Sequence, residues 1–347
     1  MYTIAKLNSE RRKIIFDFYS TRYAESAGIA EKDFWVTLML DYIFHISKYK
    51  DYFIFKGGTS LSKCFNIINR FSEDIDLILN WNYLGLTDEE IYSQRSNTNQ
   101  LKYNKYVDDL AINFIESKLL PDMINDFKEI LGYEPKFEQG ENKHILNFYY
   151  PNIYDAESTG VLQCIRLEIG PLAERIPVIE MQIEPLISKI NLKNMIKTAT
   201  TVKCISPERT FWEKVLILHQ EAHRPKTKID SLGNEVINNI PRRYSRHYYD
   251  VWKIGQTKYK EKAFNNLELL ERVRVFKKKF YRYSWDNLEN AFPGLIKIIP
   301  DESRIDELKV DFEAMKLMLN DDSVNSFDDV INGLKQLENE INNLKIQ

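Results

Sequence analysis

The segment from Tyr52 to Leu79 constrains this chain more than any other. A short apolar run, Tyr52 to Phe55, leads into Lys56-Gly57-Gly58-Thr59-Ser60, which predicts a strand followed by a turn. Residues 60–69 read as a short helix. Phe71 to Leu79 then alternates, with Ile75, Leu77 and Leu79 on one face and Asp74, Asp76 and Ile78 on the other, the pattern of a strand. Asp74 and Asp76 stand two apart, so both carboxylates project from one face. Two like charges that close repel unless a cation neutralises them. Hard oxygen donors of this kind suit Mg²⁺, which takes one or two carboxylates together with substrate phosphates. Two such ions can clamp an in-line phosphoryl displacement. The Gly57-Gly58 turn supplies the other half of such a site. It opens a helix whose first amides face outward and attract anions, and its glycines let a phosphate approach the backbone. Thr59 and Ser60 carry hydroxyls for the same triphosphate oxygens. A Walker P-loop is excluded by spacing, because G-x-x-x-x-G-K-[ST] is absent and Lys63 is followed by Cys64. The competing reading of Asp74 and Asp76 is a solvated edge strand bearing two surface acids.

The rest of the chain divides into two compositional halves. Residues 8–48 have apolar positions at helical spacing, among them Ile14, Ile15, Phe18 and Tyr19, then Phe34, Trp35, Leu38, Met39, Tyr42 and Ile43. Residues 87–131 read as mostly helical, with a polar patch at 93–100 as a mobile loop. From 143 to 186 the signal is β, in His144 to Tyr150, Val161 to Ile169 and Val178 to Ile183. From Pro207 onward it is helical almost to the end. This predicts an α+β domain over residues 1–200, with N-terminal helices, and a helical domain over 201–347. The net charge of −3 at pH 7 argues against a uniformly basic coat, yet it hides an asymmetry. Between Pro241 and Arg282 there are 13 Lys/Arg against 4 Asp/Glu, and between Asp301 and Gln347 there are 5 against 12. The acidic tail is either a solvated pair of terminal helices or a restraint on the basic stretch. Cys64, Cys164 and Cys204 are far apart and form no C-x-x-C pair, which predicts buried, reduced thiols. Met1 to Asp17 has no uncharged apolar core of a signal peptide, and no run of 18 apolar residues occurs, so the expected place is the cytoplasm, without a membrane span.

A nucleotide-transferring site usually needs a third acid from a neighbouring strand, and Cys164-Ile-Arg-Leu-Glu168-Ile-Gly170 offers one. Glu168 interrupts an apolar strand, which is costly unless it is paired or faces a site. It is a candidate metal ligand or general base, and the alternative is a salt bridge with Arg166. Glu180 and Glu184 are weaker rivals. Ser206-Pro-Glu-Arg209-Thr-Phe-Trp-Glu-Lys214 is a helix start, with Ser206 as N-cap and Pro207 at the first turn. Lys214 lies among Phe211, Trp212, Val215 and Leu218; it either snorkels or meets a triphosphate as a point charge. Arg209 can serve the same anion or pair with Glu213, four residues on. In Arg242-Arg243-Tyr-Ser-Arg246-His247-Tyr-Tyr-Asp250, basic residues alternate with aromatics, as a nucleic acid would favour; the alternative is a solvated basic loop. His45, His144, His219 and His223 show no metal-ligand spacing and read as structural, and His247 alone is an unremarkable histidine.

Taken together, Lys56-Gly-Gly-Thr-Ser-Leu-Ser-Lys63, Arg70-Phe-Ser-Glu-Asp-Ile-Asp76-Leu, Pro207-Glu-Arg-Thr-Phe-Trp-Glu-Lys214 and Ser245-Arg-His-Tyr-Tyr-Asp250 resemble the AbiEii-type nucleotidyltransferase toxins. These are the toxin halves of type IV toxin–antitoxin and abortive-infection (phage-defence) systems, and the mycobacterial MenT toxins are similar. The resemblance implies a DNA polymerase β-like nucleotidyltransferase core with a mixed sheet and an appended helical domain. It implies NTP and Mg²⁺ as co-substrate and cofactor, and a cognate antitoxin as partner. The family's first motif falls on Gly58, Ser60, Asp74 and Asp76, and its later lysine and aspartate fall on Lys214 and Asp250. Some members modify the 3′ end of tRNA and block translation; others modify a protein or their own serine. Two features depart from the pattern: the gap from the glycines to Asp74 is slightly long unless Ser60 is the pairing residue, and the third acid is glutamate. The expectation is therefore a Mg²⁺-dependent transferase acting on RNA, with catalytic Asp74, Asp76, Glu168, Lys214 and Asp250, metal ligands Asp74, Asp76 and Glu168, and an NTP cradle of Lys56, Gly57, Gly58, Thr59, Ser60 and Arg209. The alternatives are a same-fold transferase or kinase-like enzyme with a protein or small-molecule acceptor, and a non-enzymatic interaction protein.

Overall fold

A computed structural model of the chain describes every residue except 71–73, 157–161, 191–197, 317–318, 320–323 and 346–347. Phe71, Ser72 and Glu73 of the expected strand, and Val161 of a later one, lie outside the described residues. The chain forms two compact units, one of Met1–Cys64 and Ser72–Ile205, the other of Phe65–Phe71 and Ser206–Gln347.

The first unit opens with α1 (Tyr2–Ala5), α2 (Ser9–Tyr23) and α3 (Ala27–Asp41). What reads as one helical stretch is broken at Ala24, whose φ of 55° ends α2, and Ser26 caps α3 by accepting the N–H of Ile29. The α2 stripe is also rotated from expectation. Phe16 and Tyr19 are buried, whereas Ile14 and Phe18 are exposed. α3 is buried almost all round, and its Trp35 stacks on Tyr150 and meets Phe148 edge-on. After β1 (Phe53–Lys56) comes α4 (Gly57–Lys63), which starts at the glycines rather than at residue 60, and then β2 (Asp74–Leu79). Next are α5 (Asp88–Tyr92), α6 (Asn97–Phe114) and α7 (Leu120–Leu131). α6 begins inside the polar patch expected to be a loop, because the Ser96 side chain caps it.

β3 (Lys136–Gln139), β4 (Ile145–Tyr149), β5 (Ile165–Gly170), β6 (Val178–Ile183) and β7 (Thr200–Ile205) complete this unit. Among the described residues they make a seven-stranded sheet in the order β3-β4-β5-β2-β1-β7-β6. It is mixed: β2 is parallel to β5 and β1 to β7, and the other pairs are antiparallel. This is the α+β core with a mixed sheet that the sequence leads one to expect. β1 and β2 are central, so Phe53, Phe55, Ile75, Leu77 and Leu79 are buried, as are Ile165, Leu167 and Ile169 of β5. An aromatic group of Phe127, Phe137 and Phe148 packs at ring separations of 4.8–5.4 Å. The three cysteines are buried thiols.

The second unit is mostly helical: α8 (Pro207–Ala222), α9 (Ser245–Ile254), α10 (Lys258–Phe264), α11 (Leu267–Phe280), α12 (Glu302–Lys316) and α13 (Phe327–Asn342). A small hairpin, β8 (Thr227–Ile229) and β9 (Glu235–Ile237), interrupts this pattern, and Gly233 at φ 85° makes its turn. Phe211, Trp212, Tyr248, Tyr249, Phe312, Leu334 and Ile341 are among its buried residues. The acidic C-terminal helices are thus part of this core, and their apolar faces decide their place.

Candidate active site

The position of β2 between β1 and β5 creates the acidic face. Asp74 and Asp76 point to the half-exposed side of β2, opposite the buried Ile75 and Leu77. In register, Asp76 lies between Lys56 of β1 and Glu168 of β5, and Asp74 lies beside Arg166. Neighbouring strands place these Cα atoms within about 5 Å of one another. Glu168 therefore stands beside Asp76 and also makes the pair that was its alternative, since Arg166 Nη2 lies 3.1 Å from Glu168 Oε1. Arg166 Nε is 4.0 Å from Asp74 Oδ1, so one guanidinium balances charge on both acids.

Gly57 is required where it is. Its φ of +80° is left-handed, and a Cβ there would overlap the Asp76 carboxylate. The turn and the acid are thus fitted to each other. Thr59 donates its hydroxyl hydrogen bond to the main-chain oxygen of Asp74, and Ser60 donates to the Gly57 oxygen at 2.9 Å. Both side chains are buried. Their protons, expected to meet a phosphate, go instead to carbonyls that hold the turn against β2. Lys56, half-buried and extended, precedes the helix, and Gly58 is buried in it.

Do these residues suit a divalent ion? Among the described residues, no three His, Cys, Asp or Glu side chains converge into a metal cage. The donors are carboxylate oxygens, which match Mg²⁺, and that ion needs only one or two of them when a substrate phosphate completes its shell. The chemistry of the donor set fits.

In the second unit, Ser206 takes the N-cap position of α8, where its carbonyl accepts the N–H groups of Arg209 and Thr210. Its hydroxyl makes no cap bond. Arg209 is buried and donates to Glu213 Oε1 at 2.8 Å, which is its alternative pairing. Lys214 does not snorkel. It is 8% exposed, and its ammonium lies 3.0 Å from Asp250 Oδ2 and 3.3 Å from His247 Nδ1. Asp250 is also held by Arg70 in a two-pronged bond, Nε to Oδ1 and Nη2 to Oδ2, both 2.8 Å. Burial alone would raise the Asp250 carboxyl, but Arg70 and Lys214 together hold it below its usual range. Burial lowers the Lys214 pKa, and Arg70 and Arg246 lower it further against the pull of Asp250. Burial and the Lys214 charge keep the His247 pKa well below its ordinary value, so its ring is neutral and its Nδ1 accepts from Lys214. One carboxylate thus faces several cations, an arrangement suited to anions. Arg70, four residues before Asp74 in the sequence, and His247 join Lys214 and Asp250 in one buried cluster, a grouping that no local period of the sequence reveals.

A model of the nucleotidyl transferase AbiEii toxin family, type IV toxin–antitoxin system, matches residues 39–333. The chain belongs to the AbiEii nucleotidyltransferase toxin family. It is therefore a nucleotidyltransferase and a toxin whose family works with an NTP substrate and an antitoxin partner. Two solved structures are similar to this AbiEii member. MenT4, a nucleotidyltransferase toxin from Mycobacterium tuberculosis H37Rv, is 13% identical, with a TM-score of 0.39, over 87% of this chain and 98% of that one. An antigenic nucleotidyltransferase-like protein from Paracoccidioides brasiliensis is 13% identical, with a TM-score of 0.31, over 74% of this chain and 93% of that one. No curated protein matches. Among the described residues, no helix is long and apolar enough to cross a membrane.

Proposed function

We propose that this AbiEii toxin transfers a nucleotide from an NTP to the 3′ hydroxyl of an RNA, with tRNA as the acceptor, and thereby inhibits translation. The observation that carries the reading is the acidic face: Asp74 and Asp76 on one side of β2, Glu168 in register beside Asp76, and Gly57 shaped to the Asp76 carboxylate. Asp74, Asp76 and Glu168 are the residues that would hold Mg²⁺, which when bound neutralises the acids and the triphosphate charge. Transfer forms a bond from the acceptor oxygen to the α-phosphorus and breaks the bond to the β-phosphate, releasing pyrophosphate. Glu168, where it does not hold the ion, would take the acceptor proton. Lys56, Gly57 and Gly58 line the turn that takes the triphosphate, and Thr59 and Ser60 hold that turn. Lys214, whose charged form Asp250 favours and orients, meets a phosphate, and Arg209 would join it only by leaving Glu213. The family's tRNA-modifying members and the basic stretch at 241–282 support RNA over other acceptors.

The test is transfer from each labelled NTP, with Mg²⁺, to purified tRNA. Label at the tRNA 3′ end, lost in Asp76→Ala and on chelation, is expected. Unlabelled tRNA with all four NTPs, alongside a labelled protein or small molecule, would show the acceptor to be wrong.

A further inference from the structure

We propose that the loop 241–244 and the first turn of α9 form a docking site for an RNA phosphodiester backbone, contacted by Arg242 and Arg243 at the surface and by Arg246 further in. The inference deepens the RNA-acceptor reading above and rests on it.

The loop is held by acids that grip its main chain. Glu307 Oε1 accepts the N–H of Ile240 at 2.9 Å. Asp311, four residues on along α12, accepts the N–H of Arg243 at 2.5 Å, the N–H of Ser245 at 2.9 Å and the Ser245 hydroxyl at 2.6 Å. Arg243 is thereby fixed at φ 60°, a left-handed conformation that a residue with a Cβ seldom takes. Asp311 thus binds the main chain of the loop, and Glu307 binds both that main chain and Arg304. Arg242 and Arg243 are exposed, and among the described residues neither guanidinium pairs with a carboxylate. Arg246 is half-buried, close enough to Lys214 and His247 for its charge to bear on both.

Three guanidiniums on a main chain fixed in advance, beside a buried cluster already rich in positive charge, call for an anion with several charges. Guanidinium forks match phosphate oxygens in pairs. Arg242 and Arg243 are exposed side by side on this fixed main chain, and a phosphodiester backbone, with one charge per nucleotide, is the polyanion whose spaced charges they can meet.

The test is equilibrium binding of an RNA hairpin with a single-stranded 3′ end, across a salt series, by the full chain. The wild type is compared with Arg242→Gln/Arg243→Gln and Arg242→Lys/Arg243→Lys. The glutamine pair should bind about tenfold more weakly, and its log–log salt slope should fall by about 1.5. The lysine pair should recover most of that slope, and binding of Mg²⁺–NTP without RNA, read by titration calorimetry, should be unchanged in both. An unchanged slope and affinity in the glutamine pair, with RNA still labelled by the wild type, would overturn the docking site and leave the proposed function standing. Competition by polyglutamate as strong as by RNA would overturn it in favour of an acidic protein partner. A wild type that binds no RNA would overturn both this site and the RNA acceptor, and label transferred from NTP to a protein acceptor would then show whether nucleotide transfer itself survives.

Discussion

At Gly57 the main chain and the Asp76 carboxylate occupy neighbouring space with no room for a methyl group. Gly57→Ala adds that methyl and also imposes a left-handed conformation costing about 1–2 kcal/mol. The expected outcome is loss of nucleotide transfer, because Asp76 is displaced, with a smaller loss of stability, read by a transfer assay beside thermal unfolding. Arg70 and Asp250 invite a different test. Arg70→Leu leaves a buried carboxylate with one cation fewer, and unfolding in denaturant should show a loss of about 3–5 kcal/mol. Arg70→Lys keeps the charge but not the two-pronged bond and should fall between. The acids were legible in the sequence because Asp74 and Asp76 obey the two-residue period of a strand, and Glu168 interrupts one. The contact between Arg70 and Asp250 was not, because its partners are 180 positions apart and no local period joins them.

Elements were legible where burial follows a period and less so at edges. The central strands β1, β2 and β5 announce themselves by apolar alternation. β7 carries the same signal over Thr200 to Cys204, with Thr200, Val202 and Cys204 buried and Thr201 and Lys203 more exposed, but it sits where the composition changes and is masked by the coming helix. β3 is four residues of exposed and half-exposed edge strand, with little to separate it from a loop. On α2 the apolar residues do not share one face, and the aromatic packing of Phe16 on Phe34 decides which side is inward. Helix packing also fixes Gly333 in α13, where a Cβ would overlap the Trp252 indole. Propensity alone would make Gly333→Ala stabilising by roughly 1 kcal/mol. The steric overlap reverses the sign, and a loss of about 1–3 kcal/mol is expected by thermal or chemical unfolding.

For the whole molecule, two buried groups set opposite pH dependences. Burial pushes the Glu31 carboxyl up to about 7, only partly offset by the N–H groups of Ile153 and Tyr154. It binds a proton more tightly in the fold, so its contribution is full below about 4.5 and is lost as pH rises toward 7. Glu31→Gln should flatten that rise-dependent loss and gain stability at pH 8, measured by unfolding across pH. Burial lowers the His219 ring to about 4. Its Nε2–H donates to the Asn287 carbonyl and its Nδ1 accepts from the Lys297 N–H, which fixes the neutral ring. Its contribution is present above pH 6.5 and is lost as pH falls toward 4. The acidic tail also acts at this scale. Phe312, Val330, Leu334 and Ile341 are buried, so truncation at about residue 300 should unfold the second unit rather than simply release a basic surface. The account as a whole turns on the carboxylates of β2. Its most direct test is the single-turnover rate of nucleotide transfer by Asp76→Asn against the wild type, both shown to be folded by thermal unfolding: the account predicts a loss of about a hundred- to a thousandfold, and a rate within threefold of the wild type would contradict it.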